Sequence, residues 1–242
     1  MNQTIWTYWH QGFQAAPYVV QHCIHRLQQL HPAVTIHLLD QHTVYDYAES
    51  VPVKTETWNK MSLPHRSDLL RTLLLIRYGG VWLDPTVFCI RPLGDWLPEY
   101  MKNGLFLFHR PGKDRIISNW FIAAERNNYF LKVLYETLIQ YWNQHDFRNL
   151  SSTSRGKFEY WSKRIINNRS LLLSQLWLSP LFTKIFRLFP YMIYHYMFYY
   201  LIRTDVECRR IYENMPKFSA DGPHRYRKNG KFLLAEPRGS KS

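Results

Sequence analysis

Along the first 145 residues, short apolar runs alternate with stripes of apolar positions at helical spacing. Ile5 to Trp9 predicts a buried first strand. Beyond Gly12 and Pro17, apolar side chains fall at Val19, Val20, Cys23, Ile24, Leu27 and Leu30, a helical spacing that Pro32 ends. Val34 to Leu39 predicts a second strand, ending at Asp40, whereas residues 41–63 are mixed and polar and carry no clear element. A helix is predicted from about Pro64 to Tyr78, with Leu69, Leu70, Leu73 and Leu74 on its apolar face and Gly79-Gly80 as its stop. Val81-Trp82-Leu83 follows as a strand that delivers Asp84 at its end, and Pro85 takes the chain out of the ladder. Gly104 to Phe108 predicts another strand before a polar loop. Residues 128–145 predict a helix with Phe130, Val133, Leu134, Leu138, Tyr141 and Trp142 along one side.

This alternation implies an α/β sandwich with parallel strand pairing. In such sheets ligands bind outside the carboxyl ends of the strands, which is where Asp84 falls. The second half differs. Residues 148–170 are polar and basic and read as a loop or excursion, and residues 171–202 are strongly apolar and aromatic. Lys184, Arg187, Pro180 and Pro190 interrupt that run into uncharged stretches of 14 and 15 residues, short of the ~20 that span a bilayer. Two readings stay open: an aromatic, basic hairpin lying on a membrane, or a buried helical pair completing the core. The expected organisation is a donor-binding core over 1–145 and a helical, basic extension over 146–242 within one compact domain.

Charge sharpens the contrast between the halves. Residues 1–121 carry 11 Lys and Arg against 9 Asp and Glu, and residues 122–242 carry 20 against 9. The second half therefore suits an anionic partner: a membrane, a polyanionic substrate or nucleic acid. No nucleic-acid motif or dense basic helix accompanies the charge, so nucleic acid is not expected. The chain is 17% aromatic, with 10 Gly and 13 Pro, which excludes a disordered or collagen-like chain. Cys23, Cys89 and Cys208 have no C-x-x-C spacing and read as reduced, buried thiols. The first residues show no basic and apolar leader, so a cytoplasmic setting is expected, peripheral at the inner membrane face.

The chemistry-bearing segment runs from Ser67-Asp68-Leu69-Leu70-Arg71 to Tyr78-Gly79-Gly80-Val81-Trp82-Leu83-Asp84-Pro85-Thr86. Asp68 and Arg71 lie three apart on one helix face. Two acids and an arginine converging on a strand end could bind sugar hydroxyls and a diphosphate. Taken alone, Asp68 and Arg71 would be an ordinary surface ion pair. Together with Gly79-Gly80 and Asp84 they form a pattern.

That pattern, with Ile5-Trp6-Thr7-Tyr8-Trp9-His10-Gln11-Gly12 and Ser118-Asn119-Trp120-Phe121-Ile122-Ala123-Ala124, resembles the capsular polysaccharide synthesis glycosyltransferases. These are related to the family-32 sugar transferases of GT-A fold. The resemblance covers about the first 145 residues, and Pro223-His224 resembles a further family element. It implies a GT-A-like, Rossmann-type nucleotide-sugar-binding sandwich that transfers a hexose, with retention, to a capsular or cell-surface polysaccharide or lipid-linked saccharide. By position it implies that Trp9 stacks on the donor base, against the alternative of an ordinary core aromatic. Asp68 and Arg71 would hold the donor sugar and phosphates, and Asp84 would touch ribose or sugar hydroxyls. Asn119 would offer an amide to the donor sugar, against the alternative of a helix N-cap, and His224 would contact substrate.

The sequence departs from the family pattern at one place. Asp84 is the first acid of an Asp-x-Asp element whose second position, ordinarily a Mn²⁺ or Mg²⁺ ligand, is Thr86. A hydroxyl is a weaker ligand for a hard cation than a carboxylate, so the expected metal use at Asp84 is weakened. Basic side chains such as His224, Arg225 or Lys228 are the alternative neutralisers. No organic cofactor and no nucleophile are assigned. The competing function is a lapsed transferase serving as a membrane-surface or nucleic-acid-binding protein.

Overall fold

The computed structural model describes residues 4–147 and 157–223. β1 (Thr4–Tyr8), α1 (Tyr18–Leu30) and β2 (Thr35–Leu39) open it as a strand–helix–strand unit with β1 and β2 parallel. Two short helices, α2 (Tyr45–Ala48) and α3 (Thr55–Lys60), fill the stretch whose pattern carries no clear element. α4 (Leu63–Tyr78) then leads into β3 (Gly80–Leu83), parallel to β1 on its other side. After α5 (Leu97–Tyr100), β4 (Leu105–Gly112) and β5 (Arg115–Ala124) form an antiparallel hairpin, and α6 (Tyr129–Gln144) follows.

The sheet order is β2-β1-β3-β5-β4, and β5 runs antiparallel to β3. The expected parallel pairing is therefore corrected for half of the sheet. Lys113 and Asp114 alone separate β4 from β5. A link that short can reverse the chain but cannot cross over. β5 itself escapes the periodicity because Ile116 to Ser118 and Phe121 to Ala124 are buried without alternation, as in a strand covered on both faces.

The two faces of the sheet build two cores. Trp6, Trp82 and Ile122 pack under α4, α6 and the C-terminal helices, and Ile5, Val81 and Phe121 pack under α1 and α5. Alternation along β1 and β3 sorts these side chains, and each large one fully buried contributes ~1.5–3 kcal/mol. The turn between α4 and β3 needs glycine for a steric reason. Gly79 and Gly80 have φ of 68° and 96°, and a Cβ on Gly80 would sit 2.4 Å from the Thr4 carbonyl oxygen. The Trp6 indole donates to the Gly79 carbonyl over 2.9 Å and fixes that turn against β1.

The C-terminal part consists of α7 (Lys157–Ile166), α8 (Leu171–Ser174), a 3-10 turn (Gln175–Leu178), a π-type turn (Leu181–Ile185), α9 (Ile193–Thr204) and α10 (Val206–Asn214). Within residues 171–202 the structure bears out the core reading for α9. α9 is core: Tyr194, Tyr196 and Phe198 are fully buried, and Phe198 stacks on Phe130 at 4.0 Å. The segment before it keeps several apolar side chains outside. Past α10, His109 N–H donates to the Phe218 carbonyl and Ala220 N–H to the His109 carbonyl, so the chain covers the free edge of β4. No helix among the described residues is long and apolar enough to cross a membrane.

Candidate functional site

α4 ends beside the start of β3, so its first two turns stand over the carboxyl ends of β1 and β3. That geometry brings Asp68, Arg71 and Asp84 together. Arg71 Nε lies 3.5 Å from Asp68 Oδ1, and Nη1 lies 3.4 Å from Asp84 Oδ1. Nη1 also donates to the Asn119 carbonyl at 2.5 Å, and Nη2 donates to Ser67 Oγ at 3.1 Å. The guanidinium carbon sits 4.9 Å from the centroid of the Trp82 ring. Two further bonds close the assembly. Asn119 Nδ2 donates to Asp68 Oδ1 at 2.8 Å, and Trp82 Nε1 donates to Asp84 Oδ1 at 2.8 Å.

Burial separates the roles of these groups. The Asp68 and Arg71 side chains are 10% and 6% exposed, whereas that of Asp84 is 31% exposed. This is not a surface ion pair. Desolvation raises the Asp68 carboxyl to about 6, against the pull of Arg71; the neighbouring Asp84 raises it further, and the Asn119 amide opposes that. Burial works against the charge on Arg71 as well, but Asp84 and Asp68 outweigh it and hold the guanidinium charged above its ordinary range. Arg71 thus braces two carboxylates with its donors directed at protein, and Asp84 is the acid that reaches solvent.

The other sequence-nominated residues fall as follows. Asn119 lies on β5, not at a helix start, which excludes the N-cap alternative; its amide faces Asp68. Trp9 leaves the carboxyl end of β1 with its backbone N–H on the Leu39 carbonyl, and its half-buried ring packs on the α1 side of the sheet, away from Arg71. Thr86 is exposed in the turn after β3. His224, Arg225 and Lys228 lie outside the described residues.

Sequence patterning does not nominate two tyrosines of the C-terminal part that pack on α4. Tyr194 places its hydroxyl 3.4 Å from Thr72 Oγ1 on α4. Tyr191 is 55% exposed, and its carbonyl is bonded by His65 Nε2, three residues before Asp68, at 3.2 Å. Burial raises the Tyr191 hydroxyl above its ordinary range, and Asp68 adds to that. Trp82 carries a legible signal: two residues before Asp84 on one strand, it shares that residue's face.

The residues present do not build a cage for a divalent cation. Among the described residues no three His, Cys, Asp or Glu side chains gather for one. Asp84 Oδ1 is already bonded by an indole N–H and approached by a guanidinium. Thr86 adds only a hydroxyl.

The fold and site define a mixed α/β domain with a buried Asp-Arg-Asp assembly at the carboxyl ends of its parallel strands. The chain belongs to the family described as capsular polysaccharide synthesis protein, whose model matches residues 1–149. Asp68, Arg71, Asp84 and Asn119 all fall inside that match, and Tyr191 and Tyr194 lie beyond it. The chain is similar to O-glycosyltransferase braB of Annulohypoxylon truncatum, 32% identical over 162 residues, which cover 59% of this chain and 38% of that protein. O-glycosyltransferase PaGT of Phomopsis amygdali is 27% identical over 159 residues, covering 58% of this chain and 39% of that protein. The chain spans about two fifths of the length of the curated relatives it matches. A solved structure titled PaToxG Glycosyltransferase superposes with a TM-score of 0.46 at 11% identity, covering 88% of this chain and 74% of that one.

Proposed function

We propose that the chain is a glycosyltransferase that moves a hexose from a nucleotide sugar to a saccharide acceptor, with retention at the anomeric carbon. The observation that carries this reading is Asp84: a solvent-reaching carboxylate at a parallel strand end, with one oxygen fixed by Trp82 and Arg71 and the other left for substrate. Asp84 accepts from hydroxyls of the donor and orients the anomeric carbon. Asp68 and Arg71 act one step back as positioning residues, since a carboxylate held in place before substrate arrives needs no reorganisation in the transition state. Positive charge building at the anomeric carbon meets the net negative charge of two carboxylates and one guanidinium. The ring of Trp9 stacks on the donor base, a contact contributing ~1–3 kcal/mol, and Asn119 and His224 complete the donor contacts.

The departing diphosphate also needs a counter-charge. Arg71 is committed to protein partners, so we assign this task to the basic residues His224, Arg225 and Lys228; a divalent cation, were one to arrive with the donor's phosphates, would have Asp84 as its protein ligand and would supply the same counter-charge. The names of two similar proteins specify O-glycosyltransferases, which favours a hydroxyl acceptor here. We take that acceptor to be a capsular or cell-surface saccharide, carried on lipid at the cytoplasmic membrane face. The three cysteines are free and buried, and burial raises Cys23 to about 11 and Cys89 and Cys208 to about 12, inert thiols that suit a reducing setting. The test is a panel of nucleotide sugars scored for thermal stabilisation and donor hydrolysis, with and without Mn²⁺. Stabilisation by one sugar nucleotide with turnover supports the reading, and no response to any donor rejects it.

A further inference from the structure

The segment between α7 and the π-type turn has an inner and an outer apolar face. Its inner side is a finished core: Ile166, Trp177 and Phe182 are buried with Tyr196 of α9, and Trp177 Nε1 donates to Asn167 Oδ1 over 2.9 Å. Its outer side presents Tyr160, Trp161, Ile165, Leu172, Leu176 and Ile185, each between 46% and 65% exposed. On α7 the sorting is clear. Positions 160, 161, 164 and 165 share one helical face, and the opposite face buries Ser162 and Ile166. These outward residues are therefore a second surface built onto packed elements. Isolated exposed apolar side chains are ordinary, but a cluster on one small cap marks an interaction face.

Charge identifies what covers it. Residues 157–190 contain six Lys and Arg and one Glu. Arg164 sits 5.5 Å from the centroid of the Trp161 ring on the same face, and Arg169 and Lys184 are exposed near the edges of the segment. Exposed Tyr, Trp and aliphatic side chains in a segment rich in cations match the headgroup zone of an anionic bilayer, where apolar groups enter the interface and each nearby cation adds attraction. The cap also adjoins the site. The chain leaves it through Phe189 and Pro190 to Tyr191, whose carbonyl is held by His65 on the helix that carries Asp68.

We propose that the outer face of this cap docks on an anionic lipid leaflet and so seats the Asp84 site beside an acceptor carried on lipid. The docking rests on the cap alone; the part concerning the acceptor rests on the glycosyltransferase reading. The experiment is co-sedimentation of the full chain with vesicles of phosphatidylcholine alone or with phosphatidylglycerol, alongside donor hydrolysis in solution. Wild type should bind the phosphatidylglycerol vesicles and be released by about 0.5 M salt, where the screening length is a few ångströms. W161S/I165S and, separately, R164E should weaken that binding at least about tenfold while melting temperature and donor hydrolysis stay at wild-type values. Lack of binding, equal binding to neutral vesicles, or binding untouched by either variant would overturn the proposal. So would a wild-type dimer that W161S/I165S turns into a monomer without lipid affinity, which would assign the face to a second copy. Vesicle binding without donor hydrolysis would reject the transferase reading and leave the docking in place.

Discussion

Trp82 Nε1 donates to Asp84 Oδ1 across 2.8 Å, so the indole that seals the core under α4 also aims the carboxylate at the end of the same strand. Asp84 is the acid of this assembly with access to solvent, and in the proposed function its second oxygen, which has no bonded partner among the described residues, contacts a sugar hydroxyl. Asp84→Asn keeps the shape and removes the charge. Turnover should fall by about 10²–10³, the size of losing one preorganised electrostatic contact. The melting temperature should stay close to wild type. A variant that keeps more than about a tenth of wild-type turnover would remove Asp84 from the reacting geometry.

Arg71 is the joint of the assembly, and its removal leaves Asp68 buried without a counter-charge. Breaking one partner of a buried pair costs ~3–5 kcal/mol, so Arg71→Ala should lose about that much in urea unfolding. Asp68→Asn combined with Arg71→Ala should cost less than the sum of the singles, because the orphaned charge is gone. Arg71→Lys keeps the charge but not the planar fork, and donor affinity should weaken roughly tenfold in a folded protein. Additive stabilities with unchanged donor Kd would reduce Arg71 to an ordinary buried side chain.

Much of this site is legible because its signals are local. Helical spacing joins Asp68 to Arg71, Gly79-Gly80 ends the helix, and a strand too short to go elsewhere delivers Asp84. The partners that come from far along the chain leave no trace in local spacing, and Asn119 is nominated only through the family resemblance. Asn119 reaches Asp68 because β5 lies beside β3, and β5 hides from periodicity since both of its faces are covered. Tyr194 reaches Thr72 of α4 through the packing of α9 on β5 and α6, and Tyr191, just before α9, reaches His65, tertiary contacts that no spacing within residues 171–202 encodes. The same stretch could be read as core or as membrane face because its apolar density is high throughout, and only the fold sorts the buried side chains from the exposed ones.

Asp68 has a pH signature of definite sign. Its carboxyl titrates near 6 in the folded protein, with burial as the leading cause, against an ordinary value of 3.8. Between those values the folded chain holds a proton that the unfolded chain has released, so this group's contribution to stability falls as pH rises from about 4 to about 6 and is flat above. Subtracting the stability of Asp68→Asn from that of wild type at each pH isolates it. The difference should decline across that window. A difference that rises with pH would mean that Arg71 outweighs desolvation at this position.

Gly80 tests whether the approach of β3 to β1 at its first residue is as close as it looks. With φ at 96° and the Thr4 carbonyl oxygen 2.4 Å from where a Cβ would stand, Gly80→Ala meets both backbone strain and a clash with main chain. The strain alone costs ~1–3 kcal/mol, and a backbone carbonyl held in the β1 ladder cannot swing aside as a side chain would. Denaturant unfolding should show a loss of at least that size. Gly94→Ala, which meets nothing within 4 Å, is the control and should change little. Equal stabilities for the two variants would mean that β1 and β3 yield freely at this turn.

The last prediction concerns Thr86. It is exposed two residues beyond Asp84, past Pro85, where a second acid would complete an Asp-x-Asp pair. Asp84 Oδ1 already serves Trp82 and Arg71, so a cation here relies on one carboxylate oxygen and the donor's own phosphates. Hard divalent cations gain most from added anionic oxygen, and a hydroxyl supplies little. Wild-type turnover should therefore depend shallowly on Mn²⁺ and keep a measurable rate in chelator. Thr86→Asp should make that dependence steeper, lower the Mn²⁺ concentration for half-maximal rate, and leave the chelated rate at or below that of wild type. Because position 86 is exposed, the melting temperature of Thr86→Asp should match wild type. Wild type that is silent in chelator and restored by Mn²⁺ at micromolar levels would show a tight cation site made by other ligands, and the Thr86 argument would fall.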